Sequence, residues 1–309
     1  MITILAGGTG SIKLVRGLSK LTKDMTIISN VGDNIWLYGL YVAPDIDTII
    51  YGLSGLLDKD RGWGIKGDSF ECLAKLRELG AESWFALGDR DLATHLIRTS
   101  MLKSGKSLSQ ITDWMRERYK VIPKIIPATD DELTTIIRTD EGKRIHLQEF
   151  WVKYKGRIKV TDIIYQGANN AHTNSKALDA IKQSELVVIA PANPISSIGP
   201  IVALKELREA LANNRYKIVA ISPLIGERAL SGPAIKYMKA LGLESSPAGV
   251  AQYYSDFVSK FIISKSDRKL VPRIRDEFGM KVYETNIRMR NKADETRLSR
   301  YLIERCICN

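Results

Sequence analysis

Two aspartates placed two residues apart are the first side chains of this sequence that could do chemistry. Asp45 and Asp47 lie in Pro44-Asp45-Ile46-Asp47-Thr48, at the start of a segment with helical periodicity that extends to Leu57. An aspartate at a helix start can be the N-cap. Near a bound phosphate its oxygens suit Mg²⁺, which binds through one or two carboxylates and substrate phosphates. The pattern leaves both roles open, and Asp33 adds a carboxylate close by in the sequence.

A second acidic helix start lies in Leu87-Gly88-Asp89-Arg90-Asp91-Leu92-Ala93-Thr94-His95. His95 follows Asp91 by one helical turn, so the two predict either a local pair within the helix or a shared site. Asp130-Asp131 adds two further carboxylates that are caps or ligands. The three histidines of the chain are widely separated, and neither a His-rich zinc pattern nor a serine elbow occurs. The carboxylates therefore favour Mg²⁺ over a transition metal.

A glycine-rich loop stands at the start of the chain. Gly7, Gly8, Thr9 and Gly10 follow an apolar run and precede a helical segment, where glycines let the backbone approach a phosphate and helix N–H groups point towards it. The dinucleotide fingerprint is not met, because Lys13 occupies the place of the third glycine, and no Gly-Lys-Ser/Thr ends a Walker A loop. We expect phosphate binding here, with a plain strand-to-helix turn as the alternative.

Further loops of the same kind follow other apolar runs, at 30–34, 191–200 and 222–226. Ligands of open α/β sheets bind outside the carboxyl ends of the strands, where such loops meet. The loops therefore predict one crevice lined by backbone amides, hydroxyls and an amide side chain.

The elements that must position these loops alternate along the chain. Apolar runs typical of buried parallel strands are 2–6, 25–30, 185–190, 216–221, 258–264 and 280–284. Helical periodicity separates most of them, at 12–21, 175–183, 201–212 and 234–241. This order predicts an α/β fold, a Rossmann-like doubly wound and mostly parallel sheet.

One segment, 45–164, interrupts the alternation with four predicted helices and a β-rich part. Ser107 and Gln110 form a capping-box pattern, and the alternating runs 133–139 and 144–152 across Asp140-Glu141-Gly142 predict a hairpin on which His146 is structural. We interpret 1–309 as a single domain that carries 45–164 as an inserted helical and hairpin subdomain lining the site. A group of aromatic residues could wall a flat ring or fill the core: Trp63, Trp84, Trp114 and Trp151, with Tyr38 and Tyr51.

Composition sets outer limits on function. Of 309 residues, 44% are apolar and 26% charged, as in ordinary soluble proteins, and no apolar run has the roughly 18 residues of a membrane span. Three cysteines, Cys72, Cys306 and Cys308, provide no disulfide framework, so we expect a reducing cytoplasm. The net charge of +11 comes without an aromatic-interleaved basic stripe, which favours a phosphorylated ligand over nucleic acid.

Taken together, the motifs resemble the 2-phospho-L-lactate transferase family of coenzyme F-420 biosynthesis, in the same order and over nearly the whole chain. The 87–95 block is the most specific of them. The resemblance implies an Mg²⁺-dependent transferase of a substituted phosphate group. In that reaction the ribityl hydroxyl of the deazaflavin FO attacks the phosphate next to the lactyl group of lactyl-diphospho-guanosine, which gives the phospholactyl product and GMP. It also implies a homodimer.

Residue roles follow from the same resemblance, position by position. Asp45 and Asp47 are the catalytic residues, Asp45 and Asp33 hold the metal, and the glycine loop holds phosphate. The guanosine is bound by Asn193, Pro194, Ser197, Ile198, Ser222 and Pro223. The deazaflavin is bound by Asp47, Thr48, Ala86, Asp89, Arg90 and His95. As metal and substrate residues, Asp45 and Asp47 should tolerate Asn with less than ~1 kcal/mol change in stability but lose activity.

Two other functions remain possible from the sequence. One is a non-catalytic regulator of the same superfamily that binds nucleotide-sugars through the glycine loop and the loop at Asn193. The other is a Rossmann oxidoreductase, which the missing ribose-binding acid disfavours. Whether the donated acid is lactyl, enolpyruvyl or glyceryl depends on a few contacts that the sequence does not reveal.

Overall fold

A seven-stranded parallel sheet forms the centre of the molecule in a computed structural model that describes residues 1–307. Its strands are β1 (Ile2–Ala6), β2 (Met25–Ser29), β5 (Lys124–Pro127), β9 (Leu186–Ile189), β10 (Ile218–Ile221), β13 (Lys260–Ser264) and β14 (Lys281–Thr285). Their order across the sheet is β14-β13-β10-β9-β1-β2-β5, with every neighbouring pair parallel. The order reverses between β1 and β9, which is the switch point where doubly wound folds bind ligands.

Short antiparallel pairs flank this sheet. They are β3 (Ile35–Leu37) with β4 (Leu40–Val42), β6 (Thr134–Thr139) between β7 (Arg144–His146) and β8 (Val160–Gln166), and β11 (Leu224–Ile225) with β12 (Arg228–Ala229). The 133–152 hairpin is confirmed by the β6–β7 pairing, although its second arm ends at His146 and continues as a π-helical turn, Glu149–Lys153. The third strand, β8, has no counterpart among the strands predicted from the sequence.

Helices cover both faces of the sheet. They are α1 (Thr9–Leu21), α2 (Pro44–Ser54), α3 (Glu71–Glu78), α4 (Asp89–Lys103), α5 (Leu108–Arg118), α6 (Ser175–Gln183), α7 (Gly199–Val202), α8 (Lys205–Asn213), α9 (Ala234–Ala240), α10 (Pro247–Tyr253), α11 (Val271–Phe278) and α12 (Lys292–Cys306). Within the described residues, none of them has the length and apolar character needed to cross a membrane. The α/β doubly wound prediction is confirmed.

Three local predictions need correction. The helix predicted at 201–212 is two helices, α7 and α8, because the chain leaves helical geometry at Leu204. The strand predicted from Tyr216 begins at Ile218, after a 3₁₀ turn. The predicted insertion, 45–164, contains β5, which pairs with β2 as an edge of the main sheet.

The capping box at Ser107 is present with both of its hydrogen bonds. All the residues of β1, β2, β9 and β10 are buried, as strands covered on both faces require. Of the three cysteines, Cys72 and Cys306 are free thiols, and Cys308 lies outside the described residues.

Candidate active site

A cavity of about 460 Å³ lies at the carboxyl ends of the strands around the switch point. The glycine loop after β1, the turn after β2, the first turn of α2 and the loop after β9 form one end of it. The start of α4 lies beside Asp47, and the segment after β7 reaches Asp33 through Gln148. Predicted site residues that line the cavity are Gly8, Thr9, Gly10, Asp33, Asp45, Asp47, Thr48, Ala86, His95, Asn193 and Ser197.

Close packing explains the glycines of the first loop. A Cβ at Gly7 would lie 2.5 Å from the Cβ of Ser197, and a Cβ at Gly8 would overlap Oδ1 of Asp45. A Cβ at Gly10 would lie 3.1 Å from the Cα of Ala192. Helix α1 then begins at Thr9 without a side-chain cap, so its first N–H groups are available to an anion. Gly8, Thr9 and Gly10 face the cavity, and Gly7 packs behind them.

Asn30 joins two carboxylates at this end of the cavity. Its Nδ2 donates to Oδ1 of Asp33 and to Oδ2 of Asp45, each at a distance of 2.8 Å. Its Oδ1 accepts from the backbone N–H of Gly32. The side chain of Gln148, which follows β7, donates to the other oxygen of Asp33 over 3.1 Å. Neutral amides therefore hold both acids in place.

The electrostatics of Asp33 and Asp45 favour a bound cation. Burial raises the pKa of Asp45 to about 6, and burial together with the charge of Asp45 raises the pKa of Asp33 well above its usual range. Within residues 1–307, no lysine, arginine or histidine forms an ion pair with either acid. Two buried carboxylates without a compensating positive group are costly unless a cation or protons neutralise them.

Helix α2 tests the capping role that the sequence left open. Its N-cap is Ala43, Pro44 is the first helical residue, and no side chain caps it. Asp45 and Asp47 lie in the first turn with other partners, so the structure excludes the cap interpretation for both.

Asp47, unlike Asp33 and Asp45, has a positively charged partner within the protein. Its two oxygens accept from the guanidinium of Arg98, with Nη1 at 3.0 Å from Oδ2 and Nη2 bound to Oδ1. Arg98, on α4, is fully buried, and Nδ1 of His95 lies 3.8 Å from Oδ2 of Asp47. The buried charge of Asp47 is thus balanced within the protein.

The rest of α4 extends this network. Nε2 of His95 is 3.4 Å from Oδ1 of Asp91, and the hydroxyl of Tyr51 is 2.7 Å from both Oδ1 of Asp91 and Oγ1 of Thr94. Burial acts to raise the pKa of Asp91, but the neighbouring His95, Tyr51 and Arg98 outweigh it, and the net direction is down. Asp91 and His95 therefore form the predicted helical pair and also line the cavity.

The structure does not bring Asp89 and Arg90 to the cavity. Both oxygens of Asp89 accept from backbone N–H groups at the start of α3, those of Glu71 and Cys72. The carboxylate of Asp68 in turn accepts from the backbone N–H groups of Arg90 and Asp91 at the start of α4. This part of the 87–95 block joins two helix starts.

Two of the predicted guanosine residues, Asn193 and Ser197, line the cavity, and Pro194, Ile198, Ser222 and Pro223 are buried outside its lining. Oδ1 of Asn193 accepts from the backbone N–H groups of Ile195 and Ser196, and its buried Nδ2 has no partner within residues 1–307. Nε2 of His95, by contrast, lies 3.4 Å from Oδ1 of Asp91, although it makes no hydrogen bond of good geometry within that range. Unpaired buried polar atoms in a cavity wall mark where ligand groups can bind.

Other candidates lie elsewhere. Asp130 accepts from the backbone N–H of Ser109 in α5, and Asp131 binds His172. His146 bonds the carbonyl of Asn34 and the N–H of Gln148, in keeping with a structural role.

Of the aromatic residues considered from the sequence, Trp63, Trp151 and Tyr51 line the cavity. The sequence did not indicate several lining residues: Arg61, Phe85, Gln148 and Tyr237. Arg98 was not indicated either, since an arginine in a helix normally predicts a solvated face. No local pattern marks Gln148 or Tyr237, which reach the cavity from distant segments.

Comparisons with known proteins agree over nearly the whole chain. The family model described as 2-phospho-L-lactate transferase CofD matches residues 2–300. The 2-phospho-L-lactate transferase of Methanocaldococcus jannaschii is 38% identical, with 99% of this chain and 98% of that protein covered. The enzyme of the same name from Methanosarcina mazei is 40% identical, with coverage of 86% and 87%.

Solved structures give the fold. A protein of the UPF0052 family from Bacillus halodurans superposes with a TM-score of 0.70 at 15% identity, covering 98% of this chain and 99% of that one. A second crystal structure of the protein from that organism gives a TM-score of 0.66.

Proposed function

The chain belongs to the 2-phospho-L-lactate transferase family of coenzyme F-420 biosynthesis, and from this premise we propose that it transfers a phospholactyl group from lactyl-diphospho-guanosine to the deazaflavin FO. The terminal ribityl hydroxyl of FO forms a new O–P bond with the phosphorus next to the lactyl group. The bond from that phosphorus to the bridging oxygen breaks, GMP leaves, and the hydroxyl proton is released. The product carries a phosphodiester between lactate and FO.

The observation that carries this proposal is the Asp33–Asn30–Asp45 cluster beside the glycine loop. A buried acidic pair without an internal cation, next to a helix start that can bind an anion, fits a diphosphate bound together with Mg²⁺. Within the described residues no group of three or more His, Cys, Asp or Glu is arranged to hold a metal. In this proposal Asp33 and Asp45 would supply two ligands, and phosphate oxygens and water would supply the others. Bound there, Mg²⁺ would neutralise charge on the phosphates during transfer.

Other residues of the lining suit the acceptor. Phe85 and Trp151 offer flat apolar surface for a ring system, and Asp47 and His95 offer polar atoms. Arg98 occupies one lone pair on each oxygen of Asp47, so each oxygen retains one for a ligand hydroxyl. We assign to Asp47 the orientation of the ribityl hydroxyl, which requires no proton transfer.

The donor nucleoside is assigned to the side of Asn193. The Nδ2 of Asn193 has no protein partner among the described residues and can donate to a phosphate or base oxygen of the guanine nucleotide, and Ser197 lines the same wall. Positioning and charge stabilisation suffice for such a reaction, because nucleophile and donor are both substrates.

The direct test is to incubate the protein with FO, Mg²⁺ and, in turn, the lactyl, enolpyruvyl and glyceryl donors, and to measure the mass of the deazaflavin product. We expect one donor to add its phospho-acid group and to release GMP. If no donor gives product although guanine nucleotides bind, the chain is a binding protein and the proposal is wrong.

A variant pair tests the acidic cluster within that assay. Asp45→Asn should lower turnover by about 10²-fold, because the metal loses a charged ligand, and raised Mg²⁺ should restore part of it. Asp130→Asn is the matched control, since Asp130 is an exposed carboxylate outside the cavity and Asn keeps its accepting oxygen. Equal turnover in the two variants would contradict the assignment of Asp45.

A further inference from the structure

The cavity has an imbalance of charge. Four aspartates line it, Asp33, Asp45, Asp47 and Asp91, whereas Arg61 is the single lysine or arginine in its lining among residues 1–307. Arg98, close behind the wall, is already bound to Asp47 through both of its terminal nitrogens. A diphosphate entering this cavity would therefore find one protein cation free to move towards it.

Arg61 is held only by weak contacts. Its guanidinium carbon lies 4.6 Å from the ring centre of Phe70 and 5.8 Å from that of Trp63, and its Nε is 3.8 Å from Oδ2 of Asp58. The side chain is 41% exposed. Exposed cation–π contacts and surface ion pairs contribute little, so a diphosphate, with one negative charge on each phosphate, can compete for this guanidinium.

Asp58 does not depend on the guanidinium. Its Oδ1 accepts from the backbone N–H groups of Asp60 and Arg61, over 3.0 and 3.1 Å, and these bonds form the turn. If the Arg61 side chain moved away, the turn would keep both of them.

The backbone of Arg61 is fixed beside the glycine loop. Oγ1 of Thr9 donates to the carbonyl of Gly62 over 2.9 Å, which ties the 58–64 turn to the first residue of α1. Gly62 and Gly64 have φ of +79° and +69°, a conformation that favours glycine, and this lets the turn fold back towards Thr9. Arg61 therefore extends from a turn anchored to the predicted phosphate loop.

We propose that Arg61 binds the diphosphate of the nucleotide donor, its guanidinium leaving the rings of Phe70 and Trp63 for the phosphate oxygens above the glycine loop. The planar guanidinium can donate two parallel hydrogen bonds to a phosphate, which an ammonium group cannot. The identity of the donor rests on the proposed function, but binding of a nucleoside diphosphate can be measured without any transfer to FO.

The test compares Arg61→Met with Lys59→Met by calorimetry against GDP, GMP and guanosine in the presence of Mg²⁺. Methionine keeps an apolar stem against Phe70 and Trp63, and Lys59 is an exposed cation of the same turn that does not line the cavity. We expect Arg61→Met to weaken GDP binding by about tenfold or more and to leave guanosine binding unchanged. Lys59→Met should match the wild type with all three ligands.

Two results would overturn the proposal. One is GDP affinity in Arg61→Met equal to that in Lys59→Met. The other is an equal loss for GDP and guanosine, which would make Arg61 a structural residue of the turn. Arg61→Lys should fall between wild type and Arg61→Met for GDP.

The assay with FO separates this proposal from the proposed function. Wild-type transfer together with unchanged GDP binding in Arg61→Met rejects the role of Arg61 alone. An Arg61-dependent affinity for GDP without transfer from any donor rejects the transferase assignment alone.

Discussion

Asp45 and Asp47 lie two residues apart in one helical turn, yet the two ends of the cavity treat them in opposite ways. Asp45 faces the glycine loop, where a neutral amide links it to a second buried acid and burial raises its pKa to about 6. Asp47 faces α4, where a buried arginine binds both of its oxygens. At one end a bound cation or protons must balance the acids, and at the other the fold supplies the positive charge.

Residue type and burial do not distinguish these two carboxylates, because both are buried aspartates, whereas their charge partners do. Asp33 and Asp45 are more costly to bury as charges than neutral residues would be, and the proposed cation site would relieve that cost. The charges of Asp47 and Asp91 are compensated by neighbouring side chains of the protein, so both residues can orient a substrate without a metal. The comparison predicts different responses to substitution at the two ends.

The largest effect is expected at the end of the cavity where Asp47 pairs with Arg98. Arg98→Met should lower the free energy of unfolding by about 3–5 kcal/mol, because it leaves Asp47 buried without its counter-charge. Asp47→Asn should also destabilise the protein by more than the ~1 kcal/mol expected from the sequence, since it strands the buried Arg98. The double variant Asp47→Asn/Arg98→Met should recover part of the loss. Urea unfolding of the wild type and the three variants measures this cycle.

Strictly additive losses in the cycle would contradict the pairing of Asp47 with Arg98. The matched comparison is Asp45→Asn, which removes charge from the other end. It should leave stability unchanged or raise it, because it relieves repulsion between Asp45 and Asp33.

A smaller effect on the free energy of unfolding is expected from pH, through the Asp33 and Asp45 carboxyls that have no positively charged partner in the described part of the chain. A carboxyl whose pKa is raised from 3.8 to about 6 on folding binds more protons in the folded than in the unfolded chain within that interval. Stability in metal-free buffer should therefore fall as pH rises from about 4 to 6, by on the order of 3 kcal/mol from this group. Asp45→Asn should remove that contribution together with the part of the Asp33 shift that the charge of Asp45 causes, and the difference between two pH series of unfolding free energies measures the sum.

Mg²⁺ provides the control for this pH effect. At about pH 7 the ion should raise the unfolding free energy of the wild type more than that of Asp45→Asn, since only the wild type offers both carboxylates. The same pH slope in wild type and Asp45→Asn would mean that Asp45 is not the titrating group.

The sequence was sufficient for six of the seven strands of the sheet and for one end of the cavity, for a physical reason. Strand-end loops of parallel strands must meet, so the amino-acid pattern alone places the glycine loop, Asp33 and the loop at Asn193 together. The role of Arg98 depends on the rotation of α4 against α2, which residue types do not encode. Strand β5 is four residues long and follows a run of helices, so its pairing with β2 had no local signal.

The 87–95 block shows the same limit at finer scale, and it gives the smallest predicted effect. The block predicts a helix start that faces a ligand, but in the structure Asp89 faces the start of α3 and accepts from the N–H groups of Glu71 and Cys72. Asp89→Ala should therefore cause a modest loss of stability through those two unpaired amides and leave FO affinity unchanged. Asp89→Asn keeps an accepting oxygen and should be milder still.

His95→Phe, on the cavity side of the same helix, should weaken FO binding, because it removes the polar imidazole ring from the wall. Fluorescence titration of FO with the three variants ranks them. A loss of FO affinity in Asp89→Ala as large as that in His95→Phe would show that the start of α4 contacts the acceptor. Asp89 would then be a ligand-binding residue, and its bonds to the start of α3 would not be its main role.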